Sequence, residues 1–142
     1  MTIKETEQEI IEEFSAFDDW MDKYNYLIEL GQDCPVIEEK DKNENNLIKG
    51  CQSRVWVSAK MDGDVMDIKA DSDAVITKGI ITLLLRVFNR QRPEDVQNAD
   101  INFIDTIGLT SHLSPTRSNG LNAMIKQIKL YAMAFALQKN NN

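Results

Sequence analysis

Cys51 is the residue whose neighbours most suggest chemistry. It sits in Leu47-Ile48-Lys49-Gly50-Cys51-Gln52-Ser53-Arg54-Val55-Trp56-Val57, behind a glycine and ahead of three polar side chains. Free cysteine usually behaves as a small buried hydrophobe, but this one lies in a polar surround rather than an apolar run. Gly50 lets the backbone turn sharply before the thiol. A nearby cation such as Arg54 would favour the thiolate, the nucleophilic form, over a thiol whose ordinary pKa is about 8.5. The pattern marks Cys51 as a candidate nucleophile on a loop tip.

The other candidates are weaker. Cys34 precedes Pro35, which restrains it to extended backbone, and it lacks the glycine turn and polar flank, so it reads as packing. His112 is the only histidine. A zinc or iron site would need Cys34, Cys51 and His112 together, without the close ligand pair such sites usually show, and none is expected. A hydrogen-bonded loop residue is the plainer reading of His112, with a proton donor near the thiol as the alternative. Residues 112–142 carry Arg117, Lys126, Lys129 and Lys139 without one Asp or Glu. Arg117, just ahead of the last helix, is the cation expected near Cys51.

Patterned elements must position these groups. Before the cysteine, residues 38–46 are polar and without apolar period, a solvated loop. After it, Val55, Val57, Ala59 and Met61 alternate with polar positions as in a strand. Asp62-Gly63-Asp64 signals a turn, and Val65, Met66, Ile68 and Ala70 return the chain in a hairpin. A hairpin alone is marginal, so helices are expected over one face, with Leu47-Ile48 as a short third strand. Two helices are expected before the loop. Ile3, Ile10, Ile11, Phe14 and Phe17 line the first, and Trp20, Tyr24, Leu27 and Ile28 the second, capped by Asp18 or Asp19 and ended by a left-handed Gly31. From Ser72-Asp73 the period becomes helical, with Ile76, Ile80, Leu83, Leu84 and Val87 on one face and either residue as cap. Gly79 inside that helix costs up to about 1 kcal/mol against alanine, which a close approach of another backbone would explain. Short helices are expected at Pro93 and near Ile101–Leu109, and a long one after Ser114-Pro115.

The 142 residues fit one domain, 1–142, with 140–142 as a disordered tail. The net charge of −7 disfavours nucleic acid. It is uneven: residues 1–45 hold four lysines and fourteen acidic residues, whereas residues 46–142 hold twelve basic and nine acidic ones. No secretory leader or membrane span is apparent, so a reducing cytoplasm with free thiols is expected.

Gly-Cys-Gln-Ser-Arg-Val-Trp at 50–56, Asp-Ser-Asp-Ala at 71–74 with Lys78-Gly79, Leu-Ser-Pro-Thr-Arg-Ser-Asn-Gly-Leu at 113–121, and Trp20 through Tyr24 to Leu30-Gly31-Gln32 resemble the SufE family. These are sulfur-acceptor proteins of iron-sulfur cluster assembly, and the resemblance spans nearly the whole chain. It implies an α+β fold similar to that of IscU-type scaffolds, a small antiparallel sheet packed with helices. It also implies that Cys51 takes persulfide sulfur from a SufS-type, pyridoxal-phosphate cysteine desulfurase, stimulates that enzyme, and delivers sulfur to a SufBCD-type scaffold. The chain would then be no stand-alone enzyme and hold no cofactor or metal of its own. Gly50, Gln52, Arg117 and Asp73 match motif positions and take supporting roles. Cys34 departs from the family, where an apolar side chain is typical. No membrane partner is implied, and the oligomeric state is expected to be a monomer or weak homodimer. A thiol redox enzyme using a Cys34–Cys51 pair, or an interaction protein without sulfur chemistry, are the alternatives.

Overall fold

The computed structural model describes residues 1–48 and 53–140; the expectations for Gly50, Cys51 and Gln52 fall outside them. Among the described residues, six α-helices and a two-stranded antiparallel sheet make an α+β architecture. Helix α1 spans Ile3–Ser15 and begins in a reciprocal cap, Thr2 accepting from the Glu5 amide while the Glu5 carboxylate accepts from that of Thr2. Helix α2, Trp20–Gly31, is capped by Asp19, which accepts from the Met21 amide.

Strands β1 (Val55–Asp62) and β2 (Val65–Ser72) form the hairpin, and Gly63 takes the φ of +66° that its tight turn requires. The register pairs Val57 with Ala70, Ala59 with Ile68 and Met61 with Met66, which puts the apolar residues of both strands on one face. The expected third strand is reduced to a single bridge between Leu47 and Trp56. Beside it, Ile48 donates to the Val55 carbonyl and Val57 to that of Asn46. The other edge is also covered: Val36 bridges Ala70, with the Ile37 amide on the Ala70 carbonyl and the Ala70 amide on that of Pro35. Two short passes of chain thus satisfy the edge amides of a ribbon that would otherwise be open on both sides.

Helix α3, Val75–Phe88, lies on β2 and α2 and is buried along most of its length. Gly79 allows this. A Cβ there would sit 2.1 Å from the Leu27 carbonyl oxygen, and one on Gly31 3.0 Å from the Gly79 nitrogen. Gly31 therefore serves the α2–α3 crossing and not a left-handed end: α2 stops at Gln32, whose φ is −67°. The chain continues through α4 (Pro93–Asn98), α5 (Phe103–Thr106) and a turn at Thr110–His112 to α6, Pro115–Asn140, which packs on α4 and β1. Arg90, at φ +62°, turns the chain after α3, its amide bonded to the Met66 carbonyl.

One polar cluster ties the first three helices together. Arg86 of α3 donates to both oxygens of Glu13 in α1, at 2.9 and 2.6 Å, and the Tyr26 hydroxyl of α2 donates to the same carboxylate. The Arg86 hydrogen bonds hold the Glu13 carboxyl below its usual range, whereas burial and the Glu13 carboxylate push Tyr26 up to about 12. Tyr26, raised in the folded state, stabilises fully below its unfolded pKa of about 10. That contribution is lost as pH rises towards about 12. Glu13, lowered, loses its contribution only as pH falls below the unfolded carboxylate value. Tyr26→Phe is expected to melt below wild type at neutral pH, with the gap narrowing above pH ~10; a gap constant across that range, followed by circular dichroism, would count against the assignment.

Candidate functional site

The described chain on either side of Lys49–Gln52 is firmly held. On the entry side, Asn46–Ile48 pair with Val55–Val57 as above, and the Tyr131 hydroxyl of α6 donates to the Val57 carbonyl at 3.2 Å. On the exit side, the Arg54 amide donates to Asp73 Oδ1 at 3.0 Å and the Asp73 amide returns a bond to the Arg54 carbonyl. Asp73 thus fixes the chain at Arg54, just after Gln52, and does not cap α3. The residue before that helix is Ala74, without a side-chain cap, and Ser72 Oγ accepts from the Ala74 amide.

A second support lies next to it. Asp71, 8% exposed, receives Lys42 at 2.7 Å and Lys78 at 3.2 Å, and its Oδ1 accepts from the Ser72 amide. Burial raises the Asp71 carboxyl, but these bonds outweigh it and hold the pKa below the ordinary value. Lys42 also lies over the Trp56 ring, 5.4 Å from its centre, a cation–π contact. The polar segment around Lys42 is therefore pinned to the outer face of the hairpin. This is what Trp56, pointing away from Val55 and Val57, does there.

Ser53 and Arg117 line one narrow cleft of about 20 Å³ together with Thr77, Ile80, Gly120, Leu121 and Met124. That volume admits a water-sized group, the scale of a terminal sulfur rather than of a metabolite. Ser53 Oγ and Thr77 Oγ1 are 3.3 Å apart. Ile80, Leu121 and Met124 supply an apolar floor. Arg117 has no ion pair among the described residues; its amide is capped by Ser114 Oγ at 3.2 Å. A cleft lined by a half-exposed arginine, two hydroxyls and an apolar floor suits a small, soft anion such as a thiolate or persulfide, because the apolar walls leave the charge poorly screened.

The expected site residues separate accordingly. Arg117 lines the cleft and Asp73 anchors its approach, while Gly50, Cys51 and Gln52 lie outside the described residues. Thr77 and Gly120 were missed. Both sit on helix faces, where only the packing of α3 and α6 on the hairpin brings them to Ser53. Cys34 is buried, 7% exposed, with its sulfur 3.7 Å from the Ala70 carbonyl. Burial pushes its thiol pKa up, against smaller opposing effects of Thr82 and Lys78. A cysteine so placed is packing and a poor thiolate. His112 is exposed and its ring stacks on Trp20, the centroids 3.9 Å apart and the planes within 7°. Trp20, expected in the core, is half-buried, packs against the core from its edge and makes this stack as well.

Among the described residues no three His, Cys, Asp or Glu side chains gather as a metal site, and no helix is long and apolar enough to cross a membrane. The family model described as SufE, Fe-S metabolism associated domain, matches residues 8–132. Among solved structures, the chain is similar to the solution structure of a hypothetical protein from Thermus thermophilus. The TM-score is 0.75 at 20% identity, over 91% of this chain and 94% of that one, a likeness of fold.

Proposed function

The chain belongs to the SufE family and so to Fe-S metabolism, and from that premise we propose that it is a persulfide carrier working through Cys51. A SufS-type cysteine desulfurase is the donor. The Cys51 thiolate, its proton lost to solvent, attacks the outer sulfur of the donor's cysteine persulfide. The donor's S–S bond breaks and its thiolate leaves, while Cys51 gains one sulfur as its own persulfide, an exchange without net oxidation. Emptying the donor cysteine is what stimulates the desulfurase. The same exchange then hands the sulfur to a SufBCD-type iron-sulfur scaffold.

The observation that supports this reading is the cleft between Ser53 and Arg117, with Ser53 two residues along the chain from Cys51. Its size and its cation fit a terminal sulfur anion. Arg117 would favour the thiolate before transfer and the persulfide anion after it. Asp73, with Gly50 and Gln52 flanking the thiol, would hold and shape the loop. Pyridoxal phosphate belongs to the desulfurase, so the carrier is an accessory protein with no cofactor of its own, one domain over 1–142, in the cytoplasm. The test is the intact mass of the protein after incubation with an active cysteine desulfurase and free cysteine. A reductant-sensitive gain of sulfur, mapped by peptide analysis to Cys51, is expected. No gain, or gain on Cys34, would refute the proposal.

A further inference from the structure

The first turn of α2 touches the segment that leads into Arg117 at two places. Trp20 stacks on His112, and Lys23, one turn along, donates from Nζ to the Ile107 carbonyl at 3.2 Å. Between those points the segment is held largely by itself. The Thr110 hydroxyl donates to Asp105, Ser111 to the Gly108 carbonyl, and the His112 amide to the Leu109 carbonyl, with Gly108 at φ +84°. Leu109 is fully buried and anchors the start of the turn. His112, three residues later, is exposed, and its ring stacks on Trp20.

Arg117 follows His112 by five residues, and between them Ser114 caps the Arg117 amide and Pro115 begins α6. The direction in which α6 starts, and with it the Arg117 side of the cleft, follows from where this turn is fixed. The opposite wall carries Thr77 and Ile80 on α3. That helix is referenced to α2 as well, through the backbone contact of Gly79 with Leu27 and Gly31. Both walls of the cleft are thus located from one helix, at its two ends.

We propose that the Trp20–His112 stack is a positioning device for sulfur transfer, holding Arg117 where the cleft needs its charge. Neither residue lines the cleft; they act through the first turn of α6. The proposal rests on the persulfide-carrier reading and adds two residues to it. A flat stack of partly exposed rings is well suited to fixing an orientation without carrying the fold, because such a pair adds only modestly to what its buried area contributes.

The experiment measures the rate at which Cys51 gains sulfur from the desulfurase, as a function of desulfurase concentration. The proteins are wild type, Trp20→Ala, Trp20→Phe, His112→Ala, Arg117→Ala and Trp20→Ala with Arg117→Ala, each with its melting temperature. A misplaced cation lowers the saturating rate, so Trp20→Ala and His112→Ala are each expected to lose about tenfold, with the half-saturating concentration little changed. Trp20→Phe, which keeps a ring on His112, recovers most of the rate. In the Arg117→Ala background Trp20→Ala has no further effect, because the group it positions is gone. Should Trp20→Ala fail to fold, His112→Ala and its double variant with Arg117→Ala give the same comparison from the exposed side. Wild-type rates in both single variants, or losses that multiply in the double variant, overturn the positioning. A wild type that gains no sulfur overturns the carrier reading and this inference with it.

Discussion

Cys51→Ser is expected to bind the desulfurase as wild type does and to leave its turnover at the level of the desulfurase alone. Serine nearly matches cysteine in size, so docking has no reason to fail. Its hydroxyl is a far poorer nucleophile towards sulfur, and the exchange needs a thiolate. Measured alongside, Cys34→Ala is expected to retain the stimulation. Its thiol is shielded below β2 with its pKa raised by burial, so deprotonation there is disfavoured and a resolving role is not open to it. The pair of variants separates three readings. Stimulation intact in Cys51→Ser would mean an interaction protein without sulfur chemistry. Loss in both variants would mean a dithiol redox cycle. Loss only with Cys51→Ser is the persulfide carrier.

The largest effect on the fold is expected from Gly79→Ala. In most exposed helices this change stabilises by up to about 1 kcal/mol. Here the new Cβ would lie 2.1 Å from the Leu27 oxygen and 2.7 Å from its carbonyl carbon, both backbone atoms that cannot rotate away. Helix α2 would have to move off α3, opening the contact that Leu27, fully buried, makes at the crossing. Overpacking of this kind costs about 1–3 kcal/mol or more, enough to outweigh the helix propensity. A melting temperature lower by roughly 5–10 °C is expected. Gly31→Ala, whose Cβ would meet the Gly79 nitrogen at 3.0 Å, should cost less, because tenths of an ångström suffice to relieve it. Equal melting temperatures for wild type and Gly79→Ala would mean that the two helices do not approach as described. Because α2 also carries Trp20, a shift of that helix should slow sulfur uptake too.

Several features were legible in the residues because they depend on neighbours in the chain. The cap at Asp18 or Asp19, the Gly63 turn, the alternation along Val55–Met61 and the helical stripe from Ile76 are local patterns, and local patterns are what a linear reading resolves. The close contact at Gly79 was also foreseeable, since a glycine in the middle of an apolar helix needs a reason. Gly31 was misread because two uses of glycine, a left-handed end and a close approach, look alike along the chain. Only the partner helix distinguishes them. Asp73 likewise matches a cap in sequence, but the Arg54 amide on the neighbouring segment claims its carboxylate. The Leu47 bridge falls where Leu47-Ile48 was expected to join the sheet, whereas the Val36 bridge depends on where a segment without any apolar period returns to it.

By itself the sequence determined the family, the α+β class and the cysteine to test first, because these lie in contiguous motifs such as Gly-Cys-Gln-Ser-Arg and in the periods of single elements. The tertiary structure decided which groups share the cleft. Ser53, Thr77 and Arg117 lie 24 and 40 residues apart in turn and meet through packing of α3 and α6 on the hairpin, while Trp20 and His112 meet across 92 residues. Contacts between distant residues are set by the shapes of many side chains at once, and no local period records them.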